Sequence, residues 1–269
     1  MEVFDSTNLK DLVLPFKGSS KGQNGQVTVI GGSKLFHGAP LLALTTASRL
    51  VDMVYFASPE PSVGEVAEKI KSSLFSFIWI PWEEREDYIR KSDAILIGSG
   101  MMRYKKEWND GGGDETREIT RDLLLKFPDK KWVIDAGSLQ MIEPEWIPEG
   151  SILTPNQKEY QRLFADQDAF EVAKKYKCVI VQKLPVTKVC SSQKCVEVNG
   201  GNAGLTKGGT GDVQAGLAVS LLAKNDAFTS GAASSYLVKK AADNLFNSVG
   251  VSYNADDLSR EVSRLFSGQ

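Results

Sequence analysis

The stretch Asn199-Gly200-Gly201-Asn202-Ala203-Gly204-Leu205-Thr206-Lys207-Gly208-Gly209-Thr210-Gly211-Asp212 runs straight into the apolar segment Val213 to Ala223. Its glycines, with an Asn that tolerates positive φ, let the backbone turn tightly and approach a ligand, and the helix that follows opens with unpaired N–H groups. A helix start of this kind carries about half a positive charge and a fan of donors, which suits phosphate oxygens. Asp212 falls in the first turn of the same helix. Two readings fit a carboxylate there. It can be a general base that takes a proton from a hydroxyl attacking phosphorus, or an acidic residue that complements the helix dipole above glycines that merely build a turn.

Upstream of this loop, β-branched apolar runs alternate with longer helical patterns. Val27–Ile30, Val54–Ala57, Phe77–Ile80, Ala94–Ile97, Trp132–Ile134 and Cys178–Val181 read as buried strands. Helices are expected at about Ala39 to Val51, Val63 to Ser73, Glu115 to Lys126 and Gln157 to Phe164. The alternation predicts an α/β fold, a mostly parallel sheet with helices on both faces and right-handed crossovers. Ligands then belong beyond the carboxyl ends of the strands. Thr187–Cys190 and Lys194–Val198, separated by Ser191-Ser192-Gln193, predict a hairpin and a small antiparallel extension. From Asp212 onward the chain reads as helices, at Thr210 to Ala223, Thr229 to Asn247 and Asp256 to Phe266. The Asn109–Asp114 tract is expected to be a mobile surface loop.

The 269 residues, 42% hydrophobic and 25% charged, fit one large domain spanning 1–269. A formal charge of −2 gives no general attraction to nucleic acid or to an anionic membrane. Positive potential must then be local, from Lys34, Arg103, Lys183 or Lys207. No run approaches a membrane span and the N-terminus lacks a secretory pattern, so a cytoplasmic protein is expected. Cys178, Cys190 and Cys195 lack metal-ligand spacing and are expected as buried thiols, although Cys190 and Cys195 could face each other across the hairpin.

Several strand ends carry a second set of candidates. Gly31-Gly32-Ser33 with His37-Gly38-Ala39-Pro40, and Gly98-Ser99-Gly100, either expose backbone donors to a ligand or serve tight packing. Asp135 suits a magnesium or hydroxyl contact, or a helix cap. Asn156 suits a ligand bond or the cap of the helix that follows. Lys183-Leu184-Pro185-Val186-Thr187 brings a cation and a hydroxyl out of a buried strand, as a phosphate contact or a solvated turn. His37, the sole histidine, cannot build a histidine-based triad and is expected in a structural or ligand-edge role.

In this order the segments resemble the ADP/ATP-dependent NAD(P)H-hydrate dehydratase family, carbohydrate-kinase-like members of the ribokinase-like superfamily. The resemblance runs from Gly25-Gln26-Val27, Gly31-Gly32-Ser33 and Gly38-Ala39 through Gly98-Ser99-Gly100, Asp135-Ala136 and Leu153-Thr154-Pro155 with Glu159, to Gly208-Gly209-Thr210-Gly211-Asp212. It implies a three-layer αβα sandwich. It also implies a repair reaction in which the ring hydroxyl of hydrated NADH or NADPH is phosphorylated from ADP or ATP, with Mg2+, and phosphate is then lost. Asp212 would activate the hydroxyl, and the N–H groups of Gly209, Thr210 and Gly211 would stabilise the transferring phosphoryl. Ala39, Gly98, Gly100 and Asn156 occupy substrate positions. Lys183, Leu184, Pro185, Val186, Thr187 and Gly211 occupy nucleotide positions. The chain departs from the family pattern at Asn156-Gln157-Lys158, where His-Pro-Gly is usual, at Gly137-Ser138, and at Ser99, Met102 and Leu184, where Pro, Gly and Gly are usual. A homo-oligomer is expected, and any companion epimerase is expected on a separate protein. The competing readings are a ribokinase-like kinase of a vitamin precursor or sugar-like substrate, and a nucleotide-binding module without turnover.

Overall fold

A computed structural model describes residues 1–103 and 112–266. Its first half runs β1 (Glu2–Val3), β2 (Gln26–Ile30), α1 (Gly38–Ala47), β3 (Met53–Ala57), α2 (Pro61–Ile70), β4 (Ile78–Trp79), α3 (Arg85–Lys91), β5 (Ala94–Ile97) and α4 (Gly112–Lys126). The middle runs β6 (Lys131–Ile134), α5 (Ala136–Met141), β7 (Ile152–Leu153), α6 (Gln157–Phe164), α7 (Ala169–Tyr176) and β8 (Val179–Gln182). It closes with β9 (Thr187–Cys190), β10 (Cys195–Val198), α8 (Thr210–Leu222), α9 (Ala227–Val249) and α10 (Ala255–Arg264).

Among the described residues, ten strands form one sheet, ordered β1-β10-β9-β8-β7-β6-β5-β2-β3-β4. β9 pairs antiparallel with both of its neighbours, and the other ladders are parallel. The expected antiparallel extension is therefore the β8–β9–β10 meander. The order reverses at β2, which pairs with β3 on one side and β5 on the other. Ligands in doubly wound sheets bind in the crevice outside the carboxyl ends at such a reversal.

Alternation along the strands divides the core into two layers. Val27, Val29, Ala94 and Leu96 face a layer built from α1, α2, α8, α9 and α10. Ile95, Ile97, Trp132 and Ile134 face the layer of α3 to α7. This is the three-layer αβα arrangement. Residues Val213 to Leu222 of α8 are buried on every side, as a helix enclosed by a sheet and other helices must be.

Three expectations change. Of the 109–114 tract, residues 109–111 lie outside the described residues, while Gly112-Gly113-Asp114 open α4 rather than a loop. Cys190 and Cys195, expected as thiols, form a disulfide, because the β9–β10 register sets them directly opposite, Cα to Cα 4.1 Å. Cys178 is free, and burial pushes its thiol up to about 12. The Phe77–Ile80 run pairs only over Ile78–Trp79, at the sheet edge. Among the described residues, no helix is long and apolar enough to cross a membrane.

Candidate active site

Gly209 is the N-cap of α8 at φ +90°, a region that favours glycine, and a Cβ there would come 2.4 Å from Leu42 Cδ1. Thr210 Oγ1 donates to the carbonyls of Leu205, at 2.7 Å, and Lys207, at 2.9 Å, holding the loop against the helix start. The Lys207 ammonium donates to the carbonyls of Val251 and Tyr253. Lys207 therefore serves the loop's structure rather than supplying a free cation. The Thr210 N–H also donates to the Lys207 carbonyl, at 3.4 Å, and the dipole at the start of α8 is of the sign that favours an anion.

Two cavities meet at this helix start. One, of about 680 Å³, is lined by Lys183, Leu184, Pro185 and Thr187 on the β8–β9 side and by Gly200 to Ala203, Thr210, Gly211 and Gln214 on the loop side. The other, of about 510 Å³, is lined by Leu35, Phe36, Gly38, Ala39, Gly100, Met101, Arg103, Gln140, Gly208, Gly209 and Asp212. Gly211 borders the first and Asp212 the second, so adjacent residues of one turn face two compartments. A third cavity, of about 390 Å³, shares Leu35 and Met101 with the second and continues along Gly32, Ser33, Lys34 and Glu60.

A buried charge cluster lies beneath the junction. Lys183 Nζ donates to Asp135 Oδ1 at 3.0 Å, and Thr154 Oγ1 donates to the same oxygen at 2.7 Å. Asp135 heads α5 without capping it, so its carboxylate serves this cluster. A Cβ built on Gly211 would lie 3.3 Å from Lys183 Nζ, which places the ammonium beside the first turn of α8. Burial works against the charge on Lys183, yet Asp135 and Glu159 outweigh it and hold the ammonium above the ordinary lysine range. Burial, followed by the repulsion of Asp135, raises Asp212 from 3.8 to about 7. Its side chain nonetheless keeps partial access to solvent through the second cavity. A carboxyl poised near neutral pH, on the wall of a cavity and in the first turn of a helix, is of the kind that general-base catalysis requires.

The sequence candidates separate cleanly on this geometry. Ala39, Gly100, Gly209 and Asp212 share the second cavity, and Lys183, Leu184, Pro185, Thr187, Thr210 and Gly211 share the first. Gly98 lines neither. At φ +116°, with a hypothetical Cβ only 1.9 Å from the Asp135 carbonyl oxygen, it brings the β5 end against β6. Asn156 borders the Lys183 cavity instead of the Asp212 one. Its Oδ1 accepts from the N–H groups of Lys158, at 2.9 Å, and Glu159, at 3.0 Å, which is the capping reading. Val186 is exposed and outside both linings. His37 Nε2 meets Ser62 Oγ at 3.3 Å, a structural contact.

Lys239, Gln214 and Gln140 escaped sequence reasoning, and Thr154 was quoted only as part of the Leu153-Thr154-Pro155 motif. Lys239, almost fully buried in α9, donates to the carbonyls of Pro185, at 2.6 Å, and Val198, at 2.9 Å, and so ties the β8–β9 turn to the end of β10. Gln214 lines the same cavity one turn after Gly211. Gln140 and Thr154 complete the wall and the charge cluster, Gln140 through a 3.2 Å bond to Glu159. A buried lysine in an apolar helical pattern was the one available signal among them.

Residues 27–264 match the sequence pattern of the NAD(P)H-hydrate dehydratase family. The chain belongs to that family. It is 34% identical to the bifunctional NAD(P)H-hydrate repair enzyme Nnr of Methanocaldococcus jannaschii, over 95% of this chain and 50% of that protein. It is 28% identical to the ADP-dependent (S)-NAD(P)H-hydrate dehydratase of Nitrosopumilus maritimus, over 91% of this chain and 89% of that one. The chain thus spans about half the length of the bifunctional relatives it matches. The ADP/ATP-dependent NAD(P)H-hydrate dehydratase of Bacillus subtilis, crystallised with ATP and Mg2+ and soaked with CoA, superposes with a TM-score of 0.80. At 20% identity over 99% of this chain and 98% of that one, it establishes the shared ribokinase-like fold.

Proposed function

We propose that this chain is a nucleotide-dependent NAD(P)H-hydrate dehydratase, with residues 1–269 acting as one unit. The observation that carries the reading is the pair of cavities divided by the first turn of α8, with Asp212 facing one and Gly211 and Lys183 the other. The larger, cationic compartment would hold ADP or ATP, the donor its relatives' names record. The Asp212 compartment, continued by the cavity along Ser33 and Lys34, would hold the hydrated NADH or NADPH.

Asp212 takes the proton of the ring hydroxyl as that oxygen bonds to the terminal phosphorus and the shorter nucleotide leaves. The N–H groups of Gly209, Thr210 and Gly211 and the Lys183 ammonium offset charge on the moving phosphoryl. Phosphate then departs with its bonding electrons, the neighbouring ring carbon gives up a proton, and the double bond of the reduced nicotinamide is restored. Among the described residues, no group of three or more His, Cys, Asp or Glu is placed to hold a metal ion. Mg2+ would therefore be carried on the nucleotide phosphates, whose charge it would neutralise. A separate epimerase would serve the other stereoisomer of the hydrate, and a homo-oligomer in the cytoplasm completes the proposal.

The test is recovery of reduced-nicotinamide absorbance when hydrated NADH and Mg2+ are supplied with ADP, with ATP, or with neither. Recovery that depends on one nucleotide supports the dehydratase and names its donor. A stable phosphorylated product without recovery would point to a kinase instead.

A further inference from the structure

Between Val213 and Leu222, α8 carries two polar side chains, Gln214 and Ser220. Ser220 Oγ donates to the Gly216 carbonyl one turn back, at 2.7 Å, and is satisfied within the helix. Gln214 is not. It is 6% exposed, and its amide nitrogen is shut off from solvent without a hydrogen-bond partner. A buried amide left unpaired is costly, and an apolar residue would suit this enclosed helix better. Such a group calls for an explanation.

Gln214 lines the Lys183 cavity, so a ligand bound there can supply the missing acceptor. On the α9 side of that cavity the Lys239 ammonium, a donor already bonded to the carbonyls of Pro185 and Val198, offers the amide nitrogen none. The terminal torsion of a glutamine is broad, so the amide can turn its N–H groups toward a ligand at little cost. Gln214 follows Gly211 by three residues, which puts both on one face of α8 and about 4.5 Å apart along its axis. Gly211, beside the Lys183 ammonium, marks the end of the cavity at which the phosphoryl would be passed on. Gln214 lies one turn away from that end, within reach of the part of a nucleotide that does not move.

We infer that Gln214 is a binding residue for the donor nucleotide: its amide N–H donates to an acceptor of the nucleoside monophosphate part, which ADP, ATP and AMP share. The inference rests on the proposed assignment of the Lys183 cavity to the donor. It makes the amide a group that weakens the fold without nucleotide and is satisfied when nucleotide binds.

The test combines calorimetric titration with AMP, ADP and ATP and melting of the same proteins without nucleotide. Gln214→Leu removes the donor and keeps a side chain of similar size. It should weaken the binding of all three nucleotides by about tenfold, the worth of one hydrogen bond. It should also raise the melting temperature, because an unpaired buried amide is gone. Gln214→Met keeps the length of the side chain, should act the same way, and serves if the leucine variant does not fold. Ser151→Ala removes another buried polar group without a partner, outside this cavity, and should leave all three affinities unchanged. Affinities within about twofold of wild type in both Gln214 variants overturn the inference. So does a loss confined to ADP and ATP, which would put the contact on the phosphates beyond the first, and so does a lower melting temperature in both variants, which would make Gln214 a structural residue. Because titration needs no turnover, a wild-type protein that binds nucleotide through Gln214 yet never restores NADH would retire the dehydratase reading and leave the inference standing. Restoration of NADH by a wild-type protein whose nucleotide affinity does not depend on Gln214 would do the reverse.

Discussion

Asp212 is a carboxyl made expensive to ionise by burial and by Asp135, and kept ionisable by Lys183. Since the base must be unprotonated, kcat/KM should fall on the acid side with an apparent midpoint near the value of about 7 that its surroundings impose. A pH–rate profile flat from pH 5 to 8 would contradict this. The same shift has a stability consequence of definite sign. A folded-state value above the ordinary 3.8 means that the contribution of Asp212 is fully present below that value and is lost as pH rises toward 7. Asp212→Asn, neutral throughout, should therefore melt higher than wild type at pH 8, with the gap closing toward pH 4. Calorimetry at the two pH values checks this, and a gap of the opposite sign would mean that the carboxylate is stabilised by its neighbours.

The first turn of α8 depends on backbone shape more than on side chains. Gly209 at φ +90° admits no ordinary residue without strain, and the space beside it is filled by Leu42. Gly209→Ala should cost about 1–2 kcal/mol from the backbone alone, lower the melting temperature, and reduce turnover by misaiming the N–H groups. Equal stability and activity in that variant would show that the loop tolerates another conformation. Much of this element was legible beforehand: α6 matches Gln157–Phe164 and α8 differs from its expected span by one residue. Both follow sharp boundary signals, a Pro-Asn cap and a glycine N-cap. The helices α3, α5 and α7 were not anticipated, because six to eight residues give too few turns for a 3.6-residue period to stand out. Of the residues that line the two cavities, those of the glycine loop, Asp212 and Lys183 were legible in the sequence. Lys239, Gln140 and Gln214 were not, since contacts between elements distant in the chain leave no mark in local spacing.

Across the whole molecule, the sheet reversal at β2 and the enclosure of α8 between layers combine to put the first turn of α8 between two compartments. The Lys183 compartment is lined only from residue 156 onward, while the Asp212 compartment draws on both halves of the chain. α1, the β5 end and α5 line the Asp212 compartment, proposed for the acceptor, and the β8–β9 turn and α9 line the one proposed for the donor. Nucleotide binding and proton removal should therefore be separable functions. The most direct measurement compares Asp212→Asn with wild type for both nucleotide affinity, by calorimetric titration, and NADH recovery from its hydrate. The account predicts a loss of kcat of at least about a hundredfold with nucleotide affinity changed by less than about threefold. Comparable loss of both, or full retention of turnover, would contradict it.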